Sequence, residues 1–128
     1  MLHATLSEHP VYRKALDIFD LSHRISVYLK QDLNQLNHFG NEDDLVYFSG
    51  DIVQYSFNLG PEILKAELKR NTHQKYKHIE SLDRLTGKLY NNCNRLEKSK
   101  SDGRDFLPLL KSELRKFRRL QSHWMMTL

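Results

Sequence analysis

The stretch Ile79-Glu80-Ser81-Leu82-Asp83-Arg84-Leu85-Thr86-Gly87-Lys88-Leu89-Tyr90-Asn91-Asn92-Cys93-Asn94-Arg95-Leu96 decides the fold. Ile79, Leu82, Thr86, Leu89, Cys93 and Leu96 recur at alternating steps of three and four. That heptad spacing lines one face of an α-helix. It predicts a long helix from Thr72 to Leu96 with a single apolar stripe, and a single stripe must be covered by other elements.

Upstream, Val11, Ala15, Ile18, Ser22, Ile25, Leu29, Leu33 and Leu36 form a second such stripe, widened by Phe19, Leu21 and Tyr28. Pro10 suits a first helical turn and Ser7 an N-cap. A first helix from residue 10 to about Leu36 would be ~40 Å long at ~1.5 Å per residue. Residues 1–9 are polar and are expected to fray. Asn37 to Asn41 reads as a helix stop and turn. Glu42, Asp43 and Asp44 then complement the dipole of a second helix rather than form a cation site. That helix spans Asp43 to about Arg70, with Leu45, Phe48, Ile52, Tyr55, Leu59, Ile63, Leu64 and Leu68 as its apolar face. Gly50 weakens it, and Gly60-Pro61 predicts a kink near Ser56–Gly60 or two helices meeting there. Arg70-Asn71-Thr72 is a short link with Thr72 as N-cap, which makes the flanking helices antiparallel neighbours.

Downstream, Asn91, Asn92 and Asn94 mark either a polar layer or an early helix end, since asparagine is a poor helix former. Glu97 to Arg104 reads as a basic, flexible loop. Asp102 or Asp105 would cap a fourth helix that carries Pro108 in its first turn and runs to about Met126. Leu107, Leu110, Leu114, Phe117, Gln121 and Trp124 make its stripe, with Leu120 and Met125 beside it. The expected architecture is a single all-α domain over residues 1–128: an up-down-up-down four-helix bundle with a kinked second helix.

Composition agrees. The chain has 128 residues, 39% hydrophobic and 28% charged, with five Gly and three Pro. That balance suits long helices better than many short strands. The only cysteine, Cys93, excludes an intramolecular disulfide and lies on the helix seam as an apolar filler. No secretory h-region and no membrane-spanning apolar run is expected, which points to a soluble cytoplasmic protein.

Motifs for catalysis are sparse. A di-metal carboxylate bundle needs paired Glu-x-x-His motifs, and the nearest approach is Asp20 with His23. His73 and His78 are five apart and face different directions, which argues against a metal clamp. There is no Gly-x-Ser-x-Gly elbow and no Gly-rich phosphate loop. Arg118 and His123 resemble the Arg/His arrangement of the helical HEPN ribonucleases, in two residues only. No cofactor, metal or catalytic residue is expected.

Charge is the stronger signal. Residues 1–64 hold four Lys and Arg against nine acids, whereas residues 65–128 hold sixteen against seven. Arg95, Lys98, Lys100, Arg104, Lys111, Arg115, Lys116, Arg118 and Arg119 cluster around the last loop and helix. Such a surface can neutralise phosphates independently of base sequence. The plainer alternative is a solvated face, or one balanced by the acidic half of a neighbouring subunit.

Val11-Tyr12-Arg13-Lys14-Ala15-Leu16 opening the first helix, Ser56-Phe57-Asn58-Leu59-Gly60-Pro61 in the second, and the basic surface complete the pattern. Together they resemble the four-helix-bundle family of 23S rRNA intervening-sequence proteins. That family includes the accessory variability determinant of diversity-generating retroelements. Its second helix carries a Ser-x-Pro-Ser-Asn-Ile-Ala-Glu-Gly-like segment. Ser56 and Asn58 echo it, while Pro61 falls after the Asn and the Ala-Glu-Gly is missing. Phe106 to Arg118 is also similar to small bacterial helical proteins of this size. The resemblance implies a ring-shaped homo-oligomer, commonly a pentamer, with a basic surface for nucleic acid and, for the accessory determinant, a reverse-transcriptase partner. It brings no catalytic residues.

The expectation is thus a non-enzymatic bundle that self-associates and binds a macromolecular partner, RNA or DNA before others. A protein–protein assembly module without a nucleic-acid role is the alternative, and an RNA-cleaving bundle using Arg118 and His123 is the third.

Overall fold

A computed structural model describes residues 9–36, 45–69, 71–99 and 101–128. The secondary structure there is helical: α1 (Pro10–Leu36), α2 (Leu45–Leu68), α3 (Thr72–Leu96), a 3-10 turn (Asp102–Phe106) and α4 (Leu107–Met125). No strand occurs among the described residues. The expected fraying at the N-terminus, the Ser7 cap, the Asn37 turn and the acidic first turn at 42–44 fall outside them.

Each helix buries one seam at alternating steps of three and four. In α1 it is Val11, Ala15, Ile18, Ser22, Ile25 and Leu29; in α3 it is Ile79, Leu82, Thr86, Leu89, Cys93 and Leu96. In α4 it is Leu107, Leu110, Leu114, Phe117, Gln121 and Trp124. Over the described side chains these three seams match the sequence reading; Leu33 and Leu36 fall outside them, and Tyr28 and Met125, expected beside the α1 and α4 stripes, are exposed. The α2 seam differs in phase: Ser49, Ile52, Ser56, Leu59, Ile63 and Ala66 are buried, while Leu68 is exposed and Tyr55 and Leu64 are half-buried. Small residues occupy half of that seam, so a search for large apolar residues drifts off it. Packing runs in a closed ring, α1 on α2, α2 on α3, α3 on α4 and α4 on α1. This is an all-α four-helix bundle.

Two hydroxyls of this core are satisfied by their own helix, whereas the buried Ser22 and Ser99 hydroxyls have no hydrogen-bond partner among the described residues. Ser56 Oγ donates to the Val53 carbonyl at 2.9 Å and Thr86 Oγ1 to the Asp83 carbonyl at 3.0 Å, the back-bonding that lets a short polar side chain sit inside a helix. Gln121 Nε2 reaches Asp83 Oδ1 at 3.0 Å, and the Trp124 indole donates to Glu67 at 2.6 Å. Cys93 is fully buried, and burial pushes its thiol up to about 12.

Two local expectations, both caps, are corrected, and of the two alternatives for the asparagines the polar position inside the helix holds. The N-cap of α3 is Asn71, whose side chain accepts from the His73 amide at 2.8 Å; Thr72 is already the first helical residue. Asn92 is buried inside α3 and accepts from Arg95 at 3.2 Å, so the asparagines do not end the helix. Neither Asp102 nor Asp105 caps α4: Ser101 caps the 3-10 turn through the Gly103 amide, and α4 follows from Phe106 without a side-chain cap. The turn is anchored, too. Ser99, Ser101 and Gly103 are buried, and Ser101 Oγ donates to Asp32 Oδ2 of α1 at 2.6 Å.

Candidate nucleic-acid interface

The α4 seam points inward, so the intervening positions must carry the helix's charge outward. Arg115, Lys116, Arg118 and Arg119 are exposed, and Lys111 is half-buried against α3. Lys98 and Arg104 are exposed at the junction between α3 and α4. Lys100 lies outside the described residues.

These cations fall into three settings. Two are held by carboxylates: Lys111 by Glu97 at 2.9 Å, and Lys116 by Glu113 at 3.2 Å. Glu113 also accepts from Lys14 of α1 at 2.7 Å. The Lys14 hydrogen bond holds the Glu113 carboxyl below its usual range, burial opposes this, and Lys116 reinforces it. Three more are held by neutral groups. Arg95 leans over the Phe48 ring of α2 at 4.9 Å, Arg104 donates to the Ser99 carbonyl at 3.1 Å, and Arg115 donates to the Tyr90 hydroxyl at 3.3 Å. Lys98, Arg118 and Arg119 have no carboxylate partner among the described residues. The structure therefore gathers Lys111, Arg115 and Arg118 along the α3–α4 seam, whereas Arg95 turns toward α2.

Tyr90 organises this seam, and the sequence reading passed over it. Its ring lies 5.1 Å beneath the Lys111 ammonium, a cation–π distance, and its hydroxyl takes Arg115. Beside it a groove of about 350 Å³ is lined by Gly87, Tyr90, Asn91, Leu114, Arg115 and Arg118. The signal was present in the heptad phase. Gly87, Tyr90 and Asn91 flank the buried positions of α3, as Arg115 and Arg118 flank those of α4.

The other candidate chemistry does not gather. Asp20 pairs with Arg24 at 3.2 Å, and His23 lies against Phe19. His78 is hydrogen-bonded to Glu62 at 2.7 Å. No group of three or more His, Cys, Asp or Glu side chains able to hold a metal occurs among the described residues. Arg118 and His123 are both exposed on α4. No described helix is long and apolar enough to cross a membrane.

The chain defines an all-α four-helix bundle with a cationic α3–α4 side. No known protein family, curated protein or solved structure matches it.

Proposed function

We propose that this protein is a non-enzymatic bundle that self-associates and binds nucleic acid through the outer face of α4 and the junction before it. The observation that carries the reading is the set Lys98, Arg118 and Arg119, exposed and, among the described residues, without carboxylates to neutralise them. Phosphates repay such uncompensated cations by releasing condensed counterions. Arg104 and Arg115 extend the surface. Lys111 and Lys116 contribute less, because Glu97 and Glu113 already hold them.

The reading takes the helices as an up-down-up-down series with α2 bent near Ser56–Gly60. Support comes from the order of contacts: Tyr55 meets Lys88 while Phe48 meets Arg95, so positions rise along α3 as they fall along α2. Phe19 against Phe57, and Tyr12 beside Gly60, give the same sense for α1 and α2. A ring-shaped oligomer, a pentamer by the resemblance, and a reverse-transcriptase partner belong to this proposal.

One observation favours an assembly module as the second reading. Tyr28, Phe106 and Leu109 are roughly half exposed and, with Leu21, Arg24 and Ile25, line an apolar groove of about 330 Å³. That groove suits a second copy of the chain.

The test is binding to a labelled structured RNA and a DNA duplex at low and moderate salt, alongside sedimentation of the protein alone. Binding that weakens at least tenfold in R118Q/R119Q is expected. A salt-sensitive oligomer with no affinity for either nucleic acid would replace this reading with the assembly module. Cleavage of the RNA that disappears in H123A would replace it with a ribonuclease.

A further inference from the structure

Gly87 stands in the interior of α3, where glycine is the least favourable ordinary residue after proline. A helix tolerates such a residue when a neighbour packs so closely that no side chain fits. That is not so here: a Cβ built on Gly87 meets nothing within 4 Å. Among the described residues no contact accounts for the missing side chain, which is also true of Gly50 in α2; Gly87 differs in what surrounds it. Gly87 lines the α3–α4 groove.

The walls are chemically one-sided. Arg115 and Arg118 bring two guanidinium groups from α4, and Asn91 brings a side-chain amide one helical turn beyond Gly87. Among the described residues no carboxylate lines the groove. Arg115 is steadied by the Tyr90 hydroxyl at 3.3 Å. Its anchor is therefore neutral, which leaves the positive charge unspent. Planar guanidinium forks match the oxygens of a phosphate.

We infer that this groove seats a single phosphate group, which enters over Gly87 and is held by Arg115, Arg118 and the Asn91 amide. The inference rests on the proposed nucleic-acid function only for the source of the phosphate, a phosphodiester of a bound strand rather than a free anion. The groove fixes where one phosphate sits, and the outer cations Lys98 and Arg119 follow the rest of the backbone.

The experiment follows the backbone amides of Gly87 and Asn91 by NMR during titration with inorganic phosphate and, separately, with a hairpin RNA. The same RNA is then bound to G87L and N91D. G87L fills the groove with a good helix former, and its melting temperature is expected not to fall. N91D places a negative charge at an exposed rim position without touching the core. Both variants are expected to weaken RNA binding at least tenfold, with Gly87 and Asn91 among the most shifted amides in the wild type. Phosphate that shifts these amides while RNA does not bind would uphold the groove, reassign its source to a free anion and overturn the nucleic-acid function. RNA binding unchanged in N91D would overturn the groove and leave that function standing. Amides unmoved by either probe, with no RNA bound, would overturn both.

Discussion

Leu82 and Leu89 sit mid-seam in α3 with no exposed surface. Truncating either to Ala removes buried methyl groups and leaves a cavity, so L82A and L89A should each cost about 2–5 kcal/mol. Urea unfolding measures this; a loss below about 0.5 kcal/mol would contradict the seam. Cys93 offers an independent check on the same packing. Burial pushes its thiol up to about 12, and the thiolate is the reactive form. A thiol reagent should leave native Cys93 unmodified at neutral pH and label it on unfolding. At this scale the sequence was most legible where the seam residues are large. Ser49, Ser56 and Ala66 were missed because a small or hydroxylated side chain carries little hydropathy, yet fits where two helices approach closely. Tyr90 was missed for another reason. Its value lies in what it holds, and Lys111 and Arg115 come from a different helix.

Among the elements, the link into α4 departs furthest from its sequence reading. Lys98, Ser99, Ser101, Asp102 and Gly103 have the composition of a loose loop, but Ser101 bonds Asp32 and Gly103 lies under α1. A Cβ on Gly103 would stand 2.8 Å from Tyr28 Cδ1 and 3.1 Å from Leu29 Cδ2. G103A should therefore destabilise the bundle by about 1–3 kcal/mol through overpacking, read as a lowered denaturation midpoint. Composition reports what a segment is made of, whereas its order is set by a helix some seventy positions earlier in the chain. The Lys14–Glu113 pair joins α1 to α4 in a similar way. Because the Glu113 carboxyl is held below its usual range, the pair's stabilisation is present above that range and is lost as pH falls through the lowered value. Wild type and K14M should differ most at neutral pH and converge on acidification, which acid-titrated unfolding would show.

At the scale of the whole molecule, four seams of one period closing a ring explain why the helices were readable from the sequence. Every seam residue obeys the same spacing rule, so one helix read correctly predicts the need for the others. The proposed functional surface was less legible. A list of cations does not say which are already neutralised, and Glu97 and Glu113 turn nine candidate residues into a smaller free set. The central claim is that this free set engages phosphates, and the slope of log affinity against log salt tests it most directly. For a structured RNA, the triple substitution of Lys98, Arg118 and Arg119 by Gln should weaken binding and reduce the slope by about 2–3, near 0.7–0.9 per lost phosphate contact. An unchanged slope and affinity, or no binding by the wild type at low salt, would contradict it.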